Sequence, residues 1–207
     1  MPAEQNKFEK IFSEKPLYDV FIDINRYTKE LLKGYLETIK NKKLTKDRKE
    51  IYDAVWKSIE FNSAELILID PPLLQRLKQI RQLGMSDFVY PGSAYSRFYH
   101  TLGVTYLSSR MIKVLNQHIE KEYRDITDDV QRMFYQLVRY AAILHDVGHM
   151  LYSHASELFF VEDENAKLFE KTTEILRAFH KKTGYEPTLH ELLSCMIVNS
   201  KAVKEMI

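Results

Sequence analysis

At 207 residues the chain has room for one large domain, or for a domain with an appendage. It is 45% apolar and 29% charged with a net charge of +1, so it has the make-up of a globular protein and its bulk charge gives no reason to expect nucleic-acid binding. No apolar run approaches the roughly 18 residues of a membrane span, residues 1–5 lack a signal-peptide pattern, and one cysteine, Cys195, excludes an internal disulfide. A cytoplasmic protein without a membrane partner is the expectation.

The pattern is helical almost throughout, which predicts an all-α fold. Val20, Ile24, Tyr27, Leu31, Tyr35 and Ile39 recur at spacings of three and four, one apolar stripe on a long helix. Residues 1–49 read as an N-terminal accessory helical segment whose stripe packs on the main domain or on another subunit. The basic run Lys40, Lys42, Lys43, Lys46, Arg48 and Lys49 follows. It is either a solvated loop between helices or a contact for phosphate or a polyanion, nucleic acid included.

The main domain is expected over 50–207. Asp70 before Pro71 and Pro72 predicts a cap and a helix over 71–83, with Gly84 as its stop. Residues 88–92 read as an extended or turn segment ending in Pro-Gly. The next helix opens near Ser96 or Arg97, and His100, Val104, Leu107, Met111 and Leu115 share the face predicted to be buried. Asp128 reads as an N-cap with Gln131 as its capping-box partner. The helix it opens is predicted to bury Val130, Met133, Phe134, Leu137, Val138 and Ala141, and His145 continues the same face. Two more helices are expected, over 167–181 and from 187 to the C-terminus, with Gly184 between them.

Seven histidines are present, and three fall between His145 and His154 beside Asp146. Imidazole and carboxylate are the donors that borderline and hard divalent cations take. Adjacent side chains on a helix diverge by about 100°, so His145 and Asp146 converge on one ion only at a helix end. His100 would come from a second helix. Such a set, two nitrogens and one oxygen with open positions, accepts Mn, Mg, Fe, Zn or Co. His118 and His180, among charged residues, read as surface side chains, and Cys195 as a core thiol. Tyr90, Tyr95, Tyr99 and Tyr152 fall near the ligands, either for packing or for stacking on a base.

The order of motifs is more specific than the ligands alone. Asp70-Pro71-Pro72-Leu73-Leu74-Gln75-Arg76-Leu77 runs on to Gln82-Leu83-Gly84; then come Tyr90-Pro91-Gly92, Arg97-Phe98-Tyr99-His100 and His145-Asp146-Val147-Gly148-His149 with Tyr152-Ser153-His154. This series resembles the HD-domain metal-dependent phosphohydrolases, most of all their deoxynucleoside triphosphate triphosphohydrolase branch. The resemblance implies an HD-domain helical bundle, a nucleotide substrate and a homo-oligomer. It makes His100, His145 and Asp146 metal ligands and Arg97 a phosphate contact. Gln82 and Leu83 match positions beside the sugar. His149, His154 and His190 match pocket histidines that touch phosphate or move protons, and Glu157 stands where relatives carry an aspartate that supports a histidine.

The implied reaction is water attack on the α-phosphate of a dNTP, giving nucleoside and tripolyphosphate. The family's fourth metal ligand, a later aspartate, has no clear counterpart: after Asp146 the chain offers only Asp163, in the acidic stretch 162–164. The domain over 50–207 is therefore expected to be incomplete at its C-terminus, or its site impaired. Two alternatives stay open, an HD hydrolase of another nucleotide (monophosphate, cyclic nucleotide or alarmone) and a catalytically impaired nucleotide-binding or assembly module.

Overall fold

The computed structural model describes residues 10–40, 48–122, 128–161 and 167–207. Lys42, Lys43, Lys46 and the acidic stretch with Asp163 lie outside them. The chain is helical, as the pattern predicts, with one addition that the pattern did not signal, a two-stranded antiparallel hairpin. No helix among the described residues is long and apolar enough to cross a membrane.

Helix α1 spans Leu17–Ile39. Its stripe turns inward: Ile24, Leu31, Tyr35, Leu36 and Ile39 pack against the main core, and Tyr35 donates its hydroxyl to Ile67 O at 3.1 Å. Most of the stripe is therefore packed on the chain's own core, while Tyr27 within it is half exposed. A smaller core joins Phe12, Leu17, Phe179, Leu192 and Met196, with Cys195 packed at its edge as expected.

Strands β1 (Arg48–Asp53) and β2 (Lys57–Asn62) pair from Arg48↔Asn62 to Asp53↔Lys57. Asp53 Oδ1 accepts from Val55 N at 2.8 Å and Trp56 N at 2.9 Å, which closes the loop. Ile59 and Phe61 alternate into the core. Only two apolar residues on β2 face inward, too few to register as a strand. Helix α2, Ser63–Ile69, opens with a capping box between Asn62 and Glu65.

The single helix expected over 71–83 is broken. Asp70 closes α2, and α3 covers only Pro72–Gln75 before a 3₁₀ turn at Arg76–Gln79. Residues 80–82 are then drawn into pairing with 95–97: Ile80 O accepts from Arg97 N at 2.8 Å, and Gln82 N donates to Tyr95 O at 3.0 Å. A continued helix would forfeit those bonds and the burial of Ile80. Gly84 does not end a helix. It adopts φ +59° and opens a 3₁₀ turn, Gly84–Phe88, where a Cβ would stand 2.9 Å from Tyr152 O. Over 88–92, expected to be extended or a turn, the chain turns, with a further 3₁₀ turn at Pro91–Ser93.

Helices α4 (Arg97–Glu122) and α5 (Asp128–Leu144) pack side by side. Their buried faces are not the predicted ones. Leu107, Met111 and Leu115 are 42%, 65% and 49% exposed, and Val130, Met133, Phe134 and Leu137 are each nearly half exposed. The buried face of α4 carries Thr101, Leu102, Thr105, Ser109 and Ile112. Thr105 and Ser109 donate their hydroxyls to carbonyls one turn back, so a polar-looking face can be buried. Buried on α5, beside Ala142, Ile143 and Leu144, is Arg139. It bonds Glu65 Oε1 and Ser109 Oγ, and reaches Glu65 Oε2 at 2.9 Å and Glu60 O at 2.8 Å. This buried network joins hairpin, α2, α4 and α5.

The remaining helices are α6 (His154–Val161), α7 (Lys167–Thr183), α8 (Leu189–Asn199) and α9 (Lys201–Lys204). The helix expected from 187 to the end breaks at buried Ser200, whose ψ is 149°.

Candidate metal centre

The site lies where α4 begins and α5 ends. Arg97 and His100 sit on the first turn of α4, one above the other. His145 follows the last residue of α5, and Asp146 leaves the helix beside it, so the pair converges as the sequence requires.

Two features shape the turn after α5. Arg76 donates to the carbonyls of Val147 and, at 2.7 Å, His149, pinning this turn to the 3₁₀ turn Arg76–Gln79. Gly148 lets α8 approach: a Cβ there would lie 2.2 Å from His190 O and 2.4 Å from Ser194 N. Its own N–H donates to Ser194 Oγ at 2.8 Å. Neither Arg76 nor Gly148 stood out as functional in the sequence, because an arginine in a charged run and a glycine after a helix carry many other meanings.

Asp146 is the hub. Oδ2 accepts from Arg97 Nη1 at 2.8 Å and lies 3.7 Å from His100 Nε2, while Oδ1 lies 3.2 Å from His145 Nε2 and 3.5 Å from His149 Nε2. Burial alone would raise its carboxyl pKa, but His149, His145 and Arg97 hold it well below the usual carboxylate range. Arg97 is 2% exposed and also donates from Nε to Ser153 Oγ at 2.7 Å and from Nη2 to Gln82 O at 3.3 Å. Ser153, held at φ 54°, is a second contributor that the sequence did not single out.

His100, His145 and Asp146 offer donor atoms within 4.8 Å of one another. Metal bonds of about 2.0–2.2 Å place neighbouring donors roughly 3–4 Å apart, so small rotations complete such a set. His145 donates Nδ1–H to Ala142 O at 2.8 Å, which leaves the lone pair of the neutral ring on Nε2, the atom facing Asp146. Burial pushes the His100 imidazole pKa down, with Asp146 pulling the other way, and this favours the neutral, ligating form. Both histidine side chains are 35% exposed, open to water or substrate. The residues fit a divalent ion.

A second cluster adjoins the first. Glu157 Oε1 accepts from His154 Nδ1 at 3.0 Å and from His190 Nδ1 at 2.8 Å. His149 stacks on His190 at 3.8 Å, with Nδ1 4.0 Å from Glu157 Oε1, so it stands between the two carboxylates. It is 1% exposed, and neither ring nitrogen has a hydrogen-bond partner among the described residues. Burial lowers its pKa to about 4, against the pull of Asp146. His149, His154, His190 and Glu157, singled out for acid-base or phosphate contact, therefore form one side-chain cluster. Gln82 rests against Arg97 through its backbone, and its side-chain oxygen is buried without a partner among the described residues. Leu83 is half exposed beside it, and Tyr90, Tyr95, Tyr99 and Tyr152 are all exposed. His118 and His180 are exposed, far from this chemistry in role.

A profile of the HD domain matches residues 97–205, from Arg97 through both clusters. The chain belongs to the HD-domain family. This HD protein is 35% identical over 116 residues to the deoxynucleoside triphosphate triphosphohydrolase SAMHD1 of Bos taurus, covering 55% of this chain and 18% of the bovine protein. It is 34% identical over 110 residues to an uncharacterized protein of Methanocaldococcus jannaschii, covering 53% of this chain and 21% of that one. An uncharacterized protein of Mycoplasma pneumoniae shares 29% identity over 140 residues, 68% of this chain and 27% of its own length. The chain thus spans about a fifth to a quarter of the length of these relatives.

Proposed function

We propose that this HD unit is the metal-binding half-site of a phosphohydrolase that converts deoxynucleoside triphosphates to nucleoside and tripolyphosphate. The observation that carries the reading is Asp146, shared by Arg97, His100 and His145, with a histidine-glutamate cluster one ring away. Similarity to the bovine triphosphohydrolase supports the choice of substrate.

A divalent ion held by His100, His145 and Asp146 would polarise a phosphoryl oxygen and activate water. Arg97 spends three of its five N–H donors on Ser153, Asp146 and Gln82. Two remain for a phosphate oxygen, and Gln82 Oε1 has no other claim on it. The attacking water forms a bond to the α-phosphorus as the bond to the 5′ oxygen breaks, and that oxygen needs a proton. His154 is suited to give it: Glu157 fixes its Nδ1–H, leaving Nε2 to exchange protons. Glu157 orients His190 in the same way.

The test is hydrolysis of a panel of dNTPs, NTPs and monophosphates with Mn, Mg or Co added. Tripolyphosphate released with nucleoside is the expected result. Turnover only of monophosphates, cyclic nucleotides or an alarmone would redirect the assignment within the family. Bound nucleotide without turnover would favour a binding or assembly module. The exposed apolar face on α4 and α5 supports an assembly role and a homo-oligomer.

A further inference from the structure

Between the hairpin and the middle of α4 and α5 lies a cavity of about 510 Å³, within the roughly 300–1,000 Å³ typical of small-ligand sites. Tyr106, Arg110 and Lys113 reach it from one face of α4, at the i, i+4, i+7 spacing of a helix. These positions lie about 9–20 Å along the helix from His100, at 1.5 Å per residue, so the cavity is distinct from the metal centre.

Its wall is cationic in a chain of net charge +1. Arg48, Arg110, Lys113 and Arg139 face only two carboxylates, Glu60 and Glu65. Both carboxylates are already engaged. Glu65 is committed to Arg139 and to the cap of α2, and Glu60 pairs with Arg48 at 2.7 Å on the surface. Arg110 and Lys113 have no carboxylate within ion-pair distance among the described residues. The Arg48–Glu60 pair is 70% and 55% exposed, the kind of pair that exchanges at little cost. A second hollow of about 670 Å³ shares Arg48, Lys113 and Tyr135 with the first, so the cations stand at a junction with room on both sides.

We propose that this cavity binds the phosphate chain of a small molecule of nucleotide size, held by Arg110 and Lys113 with Arg48 swinging in from β1. Unpaired cations around a concavity are what a chain of phosphate oxygens requires. The half-buried rings of Tyr106 and Tyr135 offer a flat surface to a base or sugar. This also gives a role to Arg48 of the basic run. The inference does not depend on the hydrolase reading.

The experiment is a titration of the full chain with ATP and, separately, with inorganic tripolyphosphate, in EDTA, read by backbone amide NMR. Saturable shifts confined to residues 58–62 and 106–113 are expected, and they should persist in His145→Ala/Asp146→Ala. In Arg110→Gln/Lys113→Gln the dissociation constant should rise at least about tenfold, the loss of one to two charge-assisted hydrogen bonds. ATP binding tighter than tripolyphosphate would assign the nucleoside a share; equal binding would make the phosphate chain sufficient. Shifts confined to the metal centre, shifts unchanged in the Arg110/Lys113 variant, or binding only of a single-stranded oligonucleotide would overturn the proposal.

Discussion

Arg97 donates to Asp146 across 2.8 Å, and the two side chains are 2% and 5% exposed. A buried charge pair of this kind is costly to break from one side, because the partner is left without solvent or counter-charge. Asp146 is thereby held ionised and fixed in direction before any metal arrives.

Arg97→Ala should cost about 3–5 kcal/mol of folding stability in urea titrations. It should also weaken metal binding about 10–100-fold, as loss of a residue that orients a ligand does elsewhere. Unchanged metal affinity would show that Arg97 serves phosphate alone.

Glu157→Gln removes the charge shared by His154 and His190. Turnover should fall about 10²-fold or more while metal content is kept. Metal lost in step with activity would place Glu157 among the ligands. Glu157→Asp draws the carboxylate back by one methylene and should give an intermediate rate.

His149 makes the metal-free protein sensitive to acid. Its pKa is about 4 in the fold, where the unfolded chain has an ordinary value near 6.5. Between those values the unfolded chain binds more protons, so stability is full above pH 6.5 and is lost as pH falls toward 4, by about 3 kcal/mol. The downward shift of His100 acts in the same direction, whereas Asp146 acts only at lower pH. Urea midpoints at pH 7, 5.5 and 4 should show the decline, and His149→Phe should flatten it. A wild-type profile flat across that range would contradict the assignment.

Gly148→Ala should disable the site from outside the ligand set. Its Cβ would meet backbone atoms of His190 and Ser194 at 2.2 and 2.4 Å, which cannot swing away as a side chain can. A loss of at least about 1–3 kcal/mol is expected, with separation of His149 from His190. A fully stable Gly148→Ala protein with normal metal binding would show that α8 has slack.

The candidate metal cluster was legible in the sequence because a His-Asp pair at a helix end and a histidine opening another helix can converge on one point, as His100, His145 and Asp146 do. The orientation of α4 and α5 was not. Hydrophobic periodicity predicts the apolar stripe to be buried, yet the core side carries Thr105, Ser109 and Arg139, whose polar groups are paired internally. Pattern alone cannot see that Glu65 waits 74 residues away for Arg139. The break after Gln79 was hidden for a related reason. Its cause is the pairing of 80–82 with 95–97, a tertiary contact that local propensity does not encode.

The most direct test is the metal content of the wild-type chain and of His145→Ala/Asp146→Ala, each loaded with Mn and dialysed against the same buffer. One tightly bound ion per wild-type chain and none in the variant is the predicted result. An ion retained in the variant would contradict the His100, His145 and Asp146 site.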